Sequence, residues 1–258
     1  MNILGHSLIS LNVFGKFGGV GGIGVKGEND LVIGALLPES CPFISDNPFT
    51  FDEIHEGGEK LLKFLKKKYP NRIGLALGML SHSVSFGADS FNPVIEKYVT
   101  GERRENKTIL GEIREATGVD DKTSKGLLHN FLWAGVDFWI LEKYPDLVKQ
   151  IAEAIIAVDY KTVGIMLAGC FGKDTVKSEK LVRVLFRDIY WPDDLFNHEG
   201  LARTWLRHSE KLKFDRQIDF GKTVLLIEKC QEFMKDEWEE LVKEVETSVR
   251  SRMSGFTN

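Results

Sequence analysis

Two stretches of this chain are almost purely apolar, yet each holds one histidine and one aspartate as its only ionisable groups. From Ile73 to Ile95 these are His82 and Asp89; from Leu127 to Leu141 they are His129 and Asp137. An unpaired carboxylate in an apolar interior costs a large part of a domain's whole stability. The fold must therefore bring these four groups to partners. A bound metal ion is the partner that best accounts for two histidines and two acids together, since imidazole and carboxylate are both good zinc ligands. The alternative is a pair of buried, hydrogen-bonded His–Asp contacts that fix helix register.

Apolar spacing predicts a mainly α protein. Thr50-Phe51-Asp52-Glu53 is a capping box, and Phe51, Ile54, Gly58, Leu61, Leu62, Leu65 and Tyr69 follow it at helical steps. His55 shares that inward face. Asp52, Glu53, Glu56 and Glu59 crowd the first turns and Lys63, Lys66, Lys67 and Lys68 the last, an order that suits the helix dipole. A second helix is expected from Arg72 to about Ser90, apolar all round, with Gly74, Gly78 and Gly87 allowing close approach of its neighbours. A third should run from Lys122 to about Tyr144, and a fourth from Asp146 to about Val158. Further helices are expected near 160–170, 176–189 and 200–212. The last should begin near Gly221, with Ile227, Cys230, Met234, Trp238, Leu241, Val245 and Val249 as one buried stripe. Thr100 to Lys107 reads as a loop, and Leu31 to Leu37 is the best strand candidate. The organisation expected is a helical core over 1–190, with 191–258 as added C-terminal helices packed on the same domain.

Several familiar motifs fail on their surroundings. Gly19 to Gly24 matches GxGxxG, but the few residues before Leu31 are too short for the parallel crossover that a dinucleotide site needs. Gly221-Lys222-Thr223 lacks the first glycine of a P-loop, where Arg216 stands, and His198-Glu199 lacks the second histidine of HExxH, since position 202 is alanine. Cys41, Cys170 and Cys230 are far apart and odd in number, so reduced thiols in a cytoplasmic protein are expected. A net charge of -4 gives no overall attraction to nucleic acid. No positive charge precedes the apolar N-terminal run, so no signal peptide is expected. The most apolar stretch, Ile73 to Ile95, is interrupted by His82, Asp89, Asn92 and Pro93, so a core helix is expected there instead of a transmembrane segment.

His6, His55, His82 and His129 lie in the first half of the chain. Three of them fall on expected inward helix faces. His82 and Asp89 would sit two turns apart on one face. His129 and Asp137 would diverge by roughly 80° around their helix.

The order of these segments resembles the zinc-dependent phospholipase C and S1/P1 nuclease family, especially its poorly characterised intracellular branch. The matching stretches are MNILGHSLIS, LVIGALLPES, FDEIHEGGEKLLKFL, ALGMLSHSVSFGADSFNP and LLHNFLWAGVDFWI, over about residues 1–145. The resemblance implies an all-α bundle that hydrolyses phosphodiesters or phosphate esters, with a lipid head group among the candidate substrates. It implies metal-ligand positions at His6, Glu39, His55, His82 and His129. Asp89 would stand in for an acid one turn after His82, and Asp137 would be a ligand or would orient His129. Glu39 would orient or deprotonate the attacking water, and one to two zinc ions are expected. The chain departs from the pattern at Phe86, Asn92 and Trp133, which occupy ligand positions. Those departures keep open a non-catalytic protein on the same scaffold. A module working through its C-terminal helices is a third alternative.

Overall fold

A computed structural model describes residues 3–15, 25–40, 46–95, 104–211 and 218–256. Helices dominate throughout, and no strand occurs among the described residues. In chain order they are α1 (Ile3–Phe14), α2 (Val25–Leu36), α3 (Phe51–His55), α4 (Gly58–Lys68), α5 (Ile73–His82), α6 (Arg104–Thr117) and α7 (Asp121–Lys143). There follow α8 (Pro145–Ile156), α9 (Tyr160–Phe171), α10 (Thr175–Arg183), α11 (His198–Lys211), α12 (Phe220–Phe233) and α13 (Trp238–Met253). One continuous hydrophobic core runs from Ile3 on α1 to Met253 on α13. No single described helix is long and apolar enough to cross a membrane; α8 and α9 pass only as a pair, bent by 78°.

The helix starts are written in the sequence. Thr50 accepts from the Glu53 N–H while the Glu53 side chain accepts from the Thr50 N–H, completing the capping box. Asp120, Asp159, Asp174 and Asp219 each accept a backbone N–H three residues on. Each satisfies an N–H that the first turn would leave unpaired, and each puts negative charge at the positive end of the helix dipole. Pro145 occupies the first turn of α8, where its missing N–H costs nothing.

The centre of the molecule is the contact of α2 with α5. A Cβ on Gly34 would lie 2.1 Å from the Leu75 carbonyl oxygen, and one on Gly78 would lie 2.3 Å from that of Leu31. Only hydrogen fits at these positions, so the two backbones meet directly. That closeness brings a backbone carbonyl of α2 within reach of the last residue of α5.

Several sequence expectations need correction. The segment 31–37 is not a strand: its residues continue α2 and a following 3₁₀ turn, Leu37–Ser40. An apolar run buried on all sides carries no period to separate strand from helix. The helix expected to reach Ser90 stops at His82, and the chain turns back through 83–87 into the 3₁₀ turn Ala88–Phe91. The first expected helix breaks after His55, and Phe51 is 50% exposed instead of buried. The last expected helix is two, α12 and α13, although every residue of its stripe is buried. Helix α6 begins at Arg104, inside the expected loop. The GxGxxG segment and Cys41 lie outside the described residues; Cys170 and Cys230 are buried free thiols.

Candidate metal centre

Five of the expected site residues come together: His6, Glu39, His55, His82 and Asp89. Within this set, His6, Glu39 and His82 form one group, and His55, His82 and Asp89 another, with the donor atoms in each within 4.8 Å of one another. Four of the five sit where a helix stops. His55 ends α3, His82 ends α5, Glu39 lies in the turn closing α2, and Asp89 lies in the turn after α5. His6 alone comes from within a helix, one turn into α1.

His82 is the centre of the arrangement. Its Nδ1 lies 2.7 Å from the Ala35 carbonyl oxygen. A carbonyl only accepts, so Nδ1 carries the proton, and Nε2 of the neutral ring is a bare lone pair. That Nε2 is buried, stands 3.2 Å from Asp89 Oδ2, and makes no hydrogen bond there. A lone pair facing a carboxylate is repulsive unless a proton or a cation stands between them.

The other edges have similar lengths. His6 Nε2 is 3.4 Å from Asp89 Oδ1 and 3.6 Å from Glu39 Oε1. These are longer than good hydrogen bonds between such groups. Two ligand atoms each about 2.1 Å from a tetrahedral zinc ion lie about 3.4 Å apart. The His6 and His82 rings stack at 3.9 Å between centroids, and His55 meets His82 edge-on at 5.4 Å.

Burial and mutual charge shift every group of the cluster. Burial lowers His6 well below the ordinary imidazole value, and His82 beside it lowers it further. Burial likewise lowers His55, to about 4. Burial acts to lower His82 too, but Asp89 and Glu39 outweigh it and raise the group. At Asp89 burial acts upward, yet His82, His6 and His55 hold the carboxyl below the usual carboxylate range. Burial pushes Glu39 up. Burial thus favours the neutral, lone-pair form of His6 and His55, while the neighbouring imidazoles favour the ionised form of Asp89.

Asp137 is placed elsewhere. Its two oxygens accept the N–H groups of Ile3, Leu4 and Gly5 at 2.8, 3.0 and 3.0 Å, which caps α1 from the side of α7. Burial pushes this carboxyl up to about 8, while the three N–H donors pull it down. The aspartate that the sequence offered as a ligand is instead the anchor of the helix carrying His6. His129 belongs to neither group; it is half-buried on α7, and burial lowers it to about 4.

The three departures also have places. Trp133 Nε1 donates to Asn92 Oδ1 at 2.6 Å, so two of the positions lacking ligands pair with each other. Phe86 is partly exposed and meets Phe256 edge-on. Sequence reasoning missed the Ala35 carbonyl, which has no side-chain signature, and it read Glu56 as a first-turn acid. Glu56 lies after the end of α3 and binds the turn beyond His82. Buried Tyr190 was also missed; burial raises its phenol well above the usual value, and Glu39 and Asp137 raise it further.

Comparison with protein-family models, with curated proteins and with solved structures gives no match.

Proposed function

We propose that this protein is a zinc-dependent hydrolase of phosphate esters or phosphodiesters, with one principal metal site. His6, Glu39, His55, His82 and Asp89 would hold the ion. The observation that carries the reading is His82: its Nδ1 proton is committed to a backbone carbonyl, and its buried Nε2 faces a carboxylate without a hydrogen bond. An outer carbonyl that fixes the imidazole tautomer is a recurrent support of metal-binding histidines. The donor set of nitrogen and carboxylate suits zinc. The reaction class is taken from the resemblance of the motif order to the phospholipase C and P1 nuclease family.

When bound, the cation supplies Lewis acidity toward a phosphoryl oxygen and neutralises charge developing there. The chain's own groups do the rest. Asp89 and His82 fix the position of positive charge. Glu39, raised by burial, is a better proton acceptor than an ordinary carboxylate and is suited to take a proton from an entering water. Asp137 holds α1, and with it His6, in register.

A second reading is a structural ion without catalysis. The Trp133–Asn92 hydrogen bond favours it, because two positions that the resemblance assigns to ligands satisfy each other. The test is metal content by plasma mass spectrometry on untagged protein purified without chelator, beside His82→Ala, followed by hydrolysis of bis(p-nitrophenyl) phosphate. About one zinc per chain, lost in the variant, with zinc-dependent turnover, supports the hydrolase. Zinc without turnover leaves the structural ion. No zinc in the wild type sinks both.

A further inference from the structure

Asp89 reaches the cluster because the chain reverses immediately after His82, and one side chain outside the cluster holds that reversal. Glu56 Oε1 accepts the N–H of Val84 at 2.9 Å and that of Ser85 at 3.2 Å. Glu56 Oε2 accepts the Ser83 hydroxyl at 2.9 Å. The Ser83 oxygen in turn accepts the N–H groups of Ser85 and Phe86, each at 3.1 Å. The Gly87 N–H then closes on the Ser83 carbonyl at 2.9 Å, and a Cβ on Gly87 would lie 2.5 Å from the Ser81 carbonyl oxygen. The turn is folded flat against the end of α5, and Asp89 follows two residues later.

Both Glu56 oxygens are committed to this clamp, so Glu56 is not a ligand. It directly follows His55, so one short segment carries a donor of the cluster and fixes the approach of another. We infer that Glu56 is a positioning residue, pinning the 83–87 turn so that Asp89 is preorganised for the cation. The inference rests on reading the cluster as a metal site. Without the clamp the turn would be ordered only when metal binds, and that ordering cost would subtract from affinity. Supporting groups of this kind are typically worth 10- to 100-fold in metal affinity.

The serine network predicts how the variants rank. Ser83 uses its only proton toward Glu56 while accepting two N–H groups. Glu56→Gln keeps an oxygen for Val84 and Ser85 but places an N–H₂ donor against Ser83. Glu56→Ala loses all three contacts.

The experiment is zinc titration by competition with a fluorescent chelator, on full-length protein, with cobalt(II) absorption as a second readout. Wild type, Glu56→Gln, Glu56→Ala, His82→Ala, Asp89→Asn and the double variant Glu56→Ala/Asp89→Asn are compared. Affinity should fall about 3- to 10-fold in Glu56→Gln and about 10- to 100-fold in Glu56→Ala. The cobalt band should change in Glu56→Ala as Asp89 is displaced. In the Asp89→Asn background Glu56→Ala should cost nothing further, because its effect acts through Asp89. Unchanged affinity in Glu56→Ala, with binding lost in His82→Ala, overturns the positioning role and leaves the metal site standing. An equal loss from Glu56→Ala with and without Asp89 also overturns it, as a general structural effect. No zinc binding by the wild type overturns the metal site itself.

Discussion

His82 and Asp89 face each other at 3.2 Å across a chain reversal, and the His82 ring is oriented by the Ala35 carbonyl at 2.7 Å on its other side. The pair joins three elements: α2 supplies the carbonyl, α5 the imidazole, and the following turn the carboxylate. Anything that binds between histidine and aspartate therefore ties these three elements together.

Chelation should expose that tie. If zinc binds only the folded protein, a free concentration 100-fold above Kd stabilises it by about 2.7 kcal/mol. Removing zinc with EDTA should lower the thermal midpoint by roughly 5–10 °C for a chain of this size. The His82→Ala variant should show no EDTA-dependent shift. A wild-type midpoint indifferent to both zinc and EDTA would remove the cation from the account of this cluster.

Asp137 should matter for stability and hardly for metal stoichiometry. Asp137→Ala leaves three buried N–H groups at the start of α1 without their acceptor, an expected loss of about 3 kcal/mol. Urea unfolding reads that loss. Zinc content at saturating metal should stay at the wild-type value, since the carboxylate touches none of the donor atoms. A stoichiometric loss of metal, with stability unchanged, would make Asp137 a ligand after all.

Two glycine substitutions should behave oppositely. Gly78→Ala drives a methyl to 2.3 Å from the Leu31 carbonyl oxygen and must part α2 from α5. The expected cost is about 3 kcal/mol, and zinc affinity should fall because Ala35 withdraws from His82. Gly126→Ala, in α7, meets nothing within 4 Å and should gain about 0.5–1 kcal/mol from helix propensity. Equal effects in chemical denaturation would contradict the close helix contact.

His129 should give the protein an acid-side loss of stability. Burial lowers its pKa in the fold to about 4, against about 6.5 for an unperturbed histidine. Between those values the unfolded chain binds a proton that the folded chain refuses. Stability is thus fully present above about pH 6.5 and falls as pH drops toward 4, by up to about 3 kcal/mol from this group. His129→Gln should make the urea midpoint less steep against pH across that window, with His55 and His6, also lowered by burial, supplying the remaining slope. A profile as steep as that of the wild type would assign the acid sensitivity to other groups.

The residues of the candidate site were legible one at a time. His82 and Asp89 stood out because polar groups in apolar surroundings demand partners, and His55 because it shares an inward helix face; His6 and Glu39 were singled out as ligands only by the family resemblance. Their neighbours were harder. Asp137 carries the same signal as Asp89, a lone carboxylate in an apolar run, and a helix N-terminus satisfies it as well as a cation would. Sequence chemistry says that such a group needs a partner; it does not say which one. Glu56 looked like an ordinary helix-start acid because its partners, Ser83, Val84 and Ser85, lie 27 to 29 positions away.

The sequence by itself determined the all-α class, the helix starts and much of the buried set. Those properties depend on local terms: an aspartate or threonine three residues before an N–H, a proline in a first turn, an apolar stripe from Ile227 to Val249. Tertiary structure decided where helices stop and what their ends meet. His82 and Asp89 were expected together along one helix, and they do meet, but because the helix ends and Gly87 lets the chain fold back on it. Leu31 to Leu36 joined a helix because its glycine face could lie against α5, a contact between segments some forty residues apart. Local propensity acts over a few residues, whereas the candidate site is made by packing between distant ones.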